Sequence, residues 1–247
     1  MGFAETRAMR ARSFGPAADV YERGRPPYPD EAVSWLVPPG ARDVLDLGAG
    51  TGKLTRQLRA RGLRVLAVDH STEMLAHLAR VGPDGPAAAG TAEELPVAGH
   101  ALDAVVVAQA WHWVDPGRAV PEIARVLRPG GQFGLVWNMR DDREPWVAEL
   151  GRIIHEDDEQ RTRSTSPRVG RPFGPPERLE IPWTRHLTLD ELLDTVASRS
   201  YIITLPAGKR AAILAAVTGL VDRHPALDAA HIPLPYVTRC SRTRIAR

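Results

Sequence analysis

Lysine is nearly missing from this chain: Lys53 and Lys209 are its two examples among 32 Lys and Arg side chains. Cysteine is rarer still. Cys240 stands alone, which excludes an internal disulfide and any cysteine-based metal cluster. No apolar run approaches the roughly 20 residues of a membrane span, and the charged N-terminus has no apolar h-region. Neither a membrane segment nor a signal peptide is therefore expected, and a reducing, cytoplasmic setting is. The Arg- and Ala-rich usage fits a high-GC bacterial genome. A dominant charge sign is also lacking. The formal net charge is +2 and the sequence pI is about 9.0, with the two signs interspersed, so no long-range field toward nucleic acid is implied. Basic clusters occur at Arg7, Arg10 and Arg12 and at Arg239, Arg242, Arg244 and Arg247. Without the interleaved aromatics of a single-strand platform, they read as solvated tails.

What is present is concentrated between residues 43 and 69. The apolar run Asp43-Val44-Leu45-Asp46-Leu47 leads into Gly48-Ala49-Gly50-Thr51-Gly52, and Leu54 and Leu58 follow at helical spacing. This is strand, glycine turn, helix, a turn in which a Cβ would collide with a closely held ligand. Seventeen residues after Gly52, a second apolar strand ends in Asp69, whose carboxylate can accept both hydroxyls of a ribose. Two nucleotide motifs fail on spacing. The dinucleotide fingerprint needs a glycine where Lys53 stands. The P-loop needs a glycine where Leu47 stands and a Ser or Thr where Leu54 stands.

An acid followed by Gly-x-Gly-x-Gly, with a second acid in register at Asp69, resembles motif I of the class I S-adenosylmethionine-dependent methyltransferases. The likeness extends to the small-molecule, trans-aconitate-methyltransferase-like (type 11) group. Gly90 to Pro96 resembles the family segment bordering the adenine, with Thr91 where Asp is frequent. Leu127-Arg128-Pro129-Gly130-Gly131 is a further family mark. The resemblance is specific from about residue 40 to 140 and looser outside. It implies an α/β, Rossmann-like fold: a mostly parallel seven-stranded sheet with its last strand antiparallel and helices on both faces. Residues 1–40 would form an N-terminal cap segment, 41–140 the cofactor-binding core, and 141–247 the part that completes the sheet and covers the substrate cleft, all as one structural domain. The implied cofactor residues are Asp46, Gly48, Ala49, Gly50, Gly52, Asp69, His70, Thr91, Ala92, Glu93 and Gln109. No metal is implied.

Patterning supplies the other elements. Leu102 to Val107 lacks polar alternation and reads as a strand buried on both faces. Pro116 to Leu127 is an amphipathic helix stopped by Arg128-Pro129-Gly130-Gly131, and Gln132 to Trp137 is a strand. Asp30 to Leu36 reads as a short helix. Residues 162–182, with seven prolines and glycines, read as a loop or lid. Thr188 and Glu191 form a capping box. Tyr201 to Leu205 reads as extended, and Ala207 to Val221 as a helix with Ala211, Leu214, Ala215, Val217 and Leu220 on its apolar face. Ile232 to Cys240 reads as a terminal strand whose first half is kept from a central position by Pro233 and Pro235.

Methyl transfer from a sulfonium is an in-line displacement in which alignment and desolvation supply most of the acceleration, so a conspicuous catalytic dyad is not required. Acceptors usually sit beyond the ends of strands four and five. There His112, between Trp111 and Trp113, is a candidate general base in an apolar surround. The plainer alternative is two packing tryptophans and a histidine capping a turn. Trp137, Asn138 and Arg140 follow strand five. Arg140 can hold a carboxylate as a fork, or Asn138 and Arg140 can belong to a helix cap and a solvated charge cluster. Tyr21, Arg25 and Tyr28 lie in a segment that covers the cofactor cleft in the resembled family, or they form a Pro-rich surface loop. His155 to Glu159 has a metal-like composition, but its side chains fan around a helix and cannot share one ion. Three functions remain open: a methyltransferase acting on a small molecule as monomer or homodimer, a protein or RNA methyltransferase, and a non-catalytic cofactor-binding protein. The Asn-Pro-Pro-Tyr type motif of many amide and base N-methyltransferases is absent after strand four.

Overall fold

The computed structural model describes residues 18–154 and 169–245. In chain order these form α1 (Ala18–Gly24), α2 (Asp30–Leu36), β1 (Asp43–Leu47), α3 (Lys53–Arg59), β2 (Arg64–Asp69), α4 (Thr72–Val81), β3 (Ala87–Ala89), β4 (Leu102–Ala108), a 3-10 turn at Trp111–Trp113, α5 (Pro116–Val126), β5 (Leu127–Arg140), α6 (Pro145–Ile153), β6 (Glu177–Leu187), α7 (Leu189–Ala197), α8 (Ser200–Ile203), α9 (Ala207–Arg223) and β7 (Ile232–Arg244). The strands make one seven-stranded sheet in the order β3-β2-β1-β4-β5-β7-β6, six parallel and one antiparallel. Two units share the chain. The smaller comprises Met1–Pro26, Asn138–Asp158 and Pro182–Val237, and the larger Pro27–Trp137, Glu159–Ile181 and Thr238–Arg247.

In the larger unit the central strands have no wet face. Val44, Leu45, Val105, Val106 and Val107 are fully buried, as the unbroken apolar runs require of parallel strands covered on both sides. β1 pairs in parallel with β2 (Leu47 opposite Val68) and with β4 (Leu47 opposite Val107). The starting edge of these strands is tied by charge. The Arg128 guanidinium donates to Asp43 at 2.9 Å and Asp103 at 2.6 Å, and Arg64 donates to Asp43 at 2.7 Å. Burial works against ionising Asp43 and Asp103, but these arginines, and at Asp103 also two backbone N–H groups, hold both below the ordinary carboxylate range. α5 starts on Asp115, whose side chain accepts from the Gly117 N–H, and buries Ala119, Val120, Ile123 and Val126. The helix ends at Leu127, which takes extended backbone, and Gly130, at φ +79°, lies inside β5 and not at the helix stop expected of it.

The smaller unit has its own core, in which Leu150, Leu192, Val196, Ile202, Val217 and Leu234 are fully buried. α7 carries the expected capping box between Thr188 and Glu191. At the C-terminus of α1, the Thr195 hydroxyl and the Arg185 guanidinium both donate to the Gly24 carbonyl, at 2.9 and 3.0 Å. Arg23 pairs with Asp194 at 2.9 Å.

Five expectations need correction. Glu177 to Leu187, partly inside the expected 162–182 loop, is a strand: Leu179, Ile181 and Trp183 alternate with exposed neighbours, and the sheet edge tolerates Pro182. Tyr201 to Leu205 is not extended, because α8 turns Ile202 into the smaller core. Tyr21 lies on helix α1, not in a loop. In α9 the buried residues are Val217, Leu220 and Val221, while Ala211 and Ala215 are exposed. β7 lies between β5 and β6 despite Pro233 and Pro235. A proline keeps its acceptor, and the Pro235 carbonyl takes the Asp141 N–H at 3.0 Å. β5 and β7 also run longer than expected. Arg7, Arg10, Arg12, Arg247 and the His155 to Glu159 stretch fall outside the described residues.

Ile123→Ala, at a fully buried α5 position, should lower stability by about 2–5 kcal/mol. Urea unfolding would show it, and a loss well under 1 kcal/mol would contradict the packing described.

Candidate active site

The loop after β1 is shaped by hydrogen bonds to β2. The N–H groups of Gly48 and Ala49 both donate to the Val68 carbonyl, at 2.8 and 3.1 Å, and the Gly50 N–H donates to Asp69 Oδ2 at 2.8 Å. All three glycines have left-handed backbone, with φ of +72°, +56° and +82°. They differ in what opposes a side chain. A Cβ on Gly48 would come within 2.7 Å of Ala110 Cβ, and one on Gly52 would run into Leu78. A Cβ on Gly50 meets nothing within 4 Å. Gly48 and Gly52 are therefore demanded by protein packing as well as by backbone conformation, and Gly50 is the glycine that faces open space.

Asp69 is a hub. Besides the Gly50 N–H, its Oδ1 accepts the Ser71 N–H at 2.9 Å and lies 3.3 Å from His70 Nδ1. Ser71 in turn caps α4 by accepting the Met74 N–H. A carboxylate offers about four acceptor positions, so Asp69 can hold the loop and still receive ribose hydroxyls. Asp46 is more deeply buried, 1% exposed. Its Oδ2 accepts from the Thr55 hydroxyl at 2.6 Å, and its Oδ1 has no hydrogen-bond partner among the described residues. Burial pushes its pKa up to about 6; the Thr55 hydrogen bond opposes the rise and the Asp69 charge adds to it. The Thr51 hydroxyl, also buried, has no partner either.

The segment after β3 is held by α5 and the residue before it. Glu93 accepts the Asp115 N–H at 2.9 Å, Glu122 accepts the Leu95 N–H at 3.0 Å, and Arg125 donates to the Val97 carbonyl at 2.9 Å. The paired Arg125 guanidinium, helped by the Leu95 N–H, holds Glu122 down to about 2. That contribution is complete above the ordinary Glu pKa and is lost as pH falls toward 2. Within the segment Ala92 is buried, Glu93 half-buried and Thr91 exposed. At the end of β4, Gln109 takes a left-handed φ of +57°, uncommon for a side-chain-bearing residue, and its N–H donates to the Val136 carbonyl at 2.9 Å.

The structure thus gathers Asp46, Gly48, Ala49, Gly50, Gly52, Asp69, His70, Thr91, Ala92, Glu93 and Gln109 in the larger unit. Tyr28, Trp111, His112, Trp113 and Trp137 belong to it too, while Tyr21, Arg25, Asn138 and Arg140 belong to the smaller unit. The three tryptophans separate. Trp111 and Trp137 are 3% and 2% exposed, with Trp111 edge-on to Phe133 at 5.1 Å, so both are core residues. Trp113 and His112 are half-buried, with ring centroids 4.5 Å apart. Tyr28 is buried, and its backbone exchanges two hydrogen bonds with Gln57, at 2.7 and 3.0 Å. In the smaller unit the Arg25 guanidinium lies 5.3 Å from the Tyr21 ring centroid. Asn138 and Arg140 lie within β5, and Arg140 is 5% exposed, so neither a helix cap nor a solvated cluster describes them. Thr55, Thr51, Glu122 and Arg125 were not expected. Thr55 is the one the pattern offers, a hydroxyl set between Leu54 and Leu58 on the buried face of α3. Among the described residues no group of three His, Cys, Asp or Glu can hold a metal, and no helix is long and apolar enough to cross a membrane.

Comparison with known proteins decides the family. Residues 45–135 match the methyltransferase domain model of the type 11 group. An uncharacterized methyltransferase of Mycobacterium tuberculosis (strain ATCC 25618 / H37Rv) is 56% identical over 236 residues, covering 95% of this chain and 96% of that protein. The chain belongs to the class I S-adenosylmethionine-dependent methyltransferases. An uncharacterized methyltransferase-like protein of Schizosaccharomyces pombe (strain 972 / ATCC 24843) is 36% identical over 201 residues, 75% of this chain and 77% of the relative. Among solved structures, one described as a type II methyltransferase from Anaeromyxobacter dehalogenans has a TM-score of 0.61 and 26% identity, covering 89% of this chain and 97% of that one. The protein is thus an enzyme whose cofactor is S-adenosylmethionine. The residues present fit that group: there is open space beside Gly50, Asp69 keeps acceptor capacity for hydroxyls, and Asp46 has an unsatisfied buried acceptor, which suits a cationic ligand.

The raised pKa of Asp46 has a sign that can be checked. Between its ordinary value of 3.8 and about 6 the folded state binds a proton that the unfolded chain has lost, so stability falls as pH rises through that window. The full penalty, on the order of 3 kcal/mol, applies above it. Asp46→Asn should flatten the stability curve between pH 4 and 6 and gain on the parent toward neutrality. Parallel thermal-unfolding curves for parent and variant across that range would disprove it.

Proposed function

We propose that this methyltransferase acts on a small-molecule acceptor in the cytoplasm, by in-line displacement at a site beyond the ends of β4 and β5. The observation that supports this most is the 3-10 turn after β4. It presents His112 and Trp113 half-buried and in ring contact, in the place where an Asn-Pro-Pro-Tyr type segment would mark many amide and base N-methyltransferases. The charge pattern agrees, since interspersed signs give no extended basic groove.

When bound, S-adenosylmethionine supplies a methyl group activated by its sulfonium. The chain's own part is to bind, align and exclude water. Asp69 takes the ribose hydroxyls while holding Gly50, and the segment Thr91 to Glu93 borders the adenine, with the Ala92 N–H as its most protected donor. Glu93 is the weaker candidate there, because one of its oxygens already serves Asp115. His112 receives the acceptor proton if the acceptor must lose one, and the Trp113 face lowers the local dielectric around it. Trp111, Trp137 and Tyr28 are buried, so packing is their role in place of the acceptor contact expected of them.

Gly50→Val should abolish binding of S-adenosylmethionine while the fold persists, and Asp69→Ala should weaken it by about 1–3 kcal/mol. Unchanged calorimetric affinity in Gly50→Val would refute the placement of the cofactor. His112→Ala should lower turnover with little change in cofactor affinity and remove the dependence of rate on pH near neutrality. The acceptor class is tested by a panel of small acids and aromatic metabolites, scored by release of demethylated cofactor. Turnover on cell RNA or protein, with none on any small metabolite, would overturn it.

A further inference from the structure

Asp46, 1% exposed, holds one oxygen in a hydrogen bond and leaves the other without a partner among the described residues. The partnered oxygen belongs to Thr55, whose own side chain is fully buried on α3 and donates its hydroxyl at 2.6 Å. A carboxylate with both oxygens free to rotate would be mobile about its side-chain torsions, and a single short hydrogen bond removes that freedom. It also favours the charged form over the neutral one. We propose that Thr55 is a positioning residue for the cofactor: its hydroxyl keeps the Asp46 carboxylate charged and in one orientation, with Oδ1 reserved for a cationic donor of bound S-adenosylmethionine.

The surroundings of Asp46 make this hydroxyl decisive. Burial opposes ionisation most strongly. The Thr55 hydroxyl counters it, Asp69 at the end of β2 opposes ionisation further by like charge, and the Thr55 backbone N–H and then the Arg59 guanidinium on α3 help less. The β4 neighbour across the sheet is Val106, which offers no charge at all. Without the Thr55 hydroxyl, the remaining groups leave a carboxylate that resists ionisation near neutral pH, and a neutral acid does not attract a cation. Thr55 therefore acts through Asp46 and has no contact with the reacting atoms to contribute.

The test is calorimetric titration with S-adenosylhomocysteine from about pH 5 to about pH 9, in the full chain and in Thr55→Val, Thr55→Ser and Asp46→Asn. The parent should bind evenly above about pH 7 and lose affinity as Asp46 takes up its proton below. Thr55→Val should move that midpoint up by about one pH unit, approach the parent's affinity at the alkaline end, and be rescued by Thr55→Ser. Asp46→Asn should bind weakly with no midpoint. Thermal unfolding of the ligand-free proteins gives a second readout, in which Thr55→Val deepens the loss of stability as pH rises and Asp46→Asn removes it. A Thr55→Val midpoint equal to the parent's, or an equal loss of affinity at every pH, would overturn the proposal. If Thr55→Val does not fold, Thr55→Ala lacks the same hydroxyl and is judged by the same midpoint.

Discussion

The hydrogen bond from the Gly50 N–H to Asp69 sets the geometry on which the cofactor site depends. A glycine loop has little conformational preference of its own, and three left-handed residues in five would sample many shapes if left alone. Two constraints prevent this. The Val68 carbonyl collects the N–H groups of Gly48 and Ala49, and the next residue of β2 collects that of Gly50. Because β1 and β2 are in parallel register, with Leu47 opposite Val68, the loop leaves β1 beside the strand end that receives it. The sheet register thus positions the loop backbone, and Asp69 anchors it while being the carboxylate proposed above for the ribose hydroxyls.

Charge is distributed along these strands in a way that distinguishes structure from function. At their starting edge Asp43 and Asp103 are paired with Arg128, and Asp43 also with Arg64. These acids ionise readily and stabilise the sheet. At the other end Asp46 has a hydroxyl for one oxygen and nothing for the second, and it ionises with difficulty. The two kinds of carboxylate lie on the same strand, three residues apart. Stability alone would select a pairing for both, and the unpaired one is the carboxylate proposed above to meet the cofactor.

The sequence disclosed the half of the fold whose elements repeat an unambiguous pattern. Val105 to Val107 could only be a strand buried on both faces, whereas Pro129-Gly130-Gly131 read as the stop of α5 and lies instead inside β5. β6 was hidden although Leu179, Ile181 and Trp183 alternate cleanly, because Pro182 and the flanking prolines read as loop chemistry; an edge strand tolerates them. Tyr201 to Leu205 misled for the opposite reason, since aromatic and β-branched residues favour strands until a core recruits them into a turn of helix. For the candidate site, spacing was enough to place Asp46, the glycines and Asp69 at the end of β1, in the loop and at the end of β2, where the structure has them. Trp111, Trp113 and His112 could not be sorted, because adjacent residues on a 3-10 turn point in different directions and burial separates them only in three dimensions.

Thr55 shows what such reading misses in general. Its partner is nine residues away, and no motif links them, yet the hydroxyl is the strongest opposing influence on a carboxylate that burial would otherwise neutralise. Replacing Thr55 by an apolar residue of equal shape would keep the contacts of Leu54 and Leu58, so its cost to stability comes through Asp46 and grows as pH rises. The surrounding core would in fact gain by neutralising Asp46 altogether. On the proposal made above, the Thr55 hydroxyl holds in place a charge that burial opposes, and the end of β1 is where folding energy is given up for the cofactor.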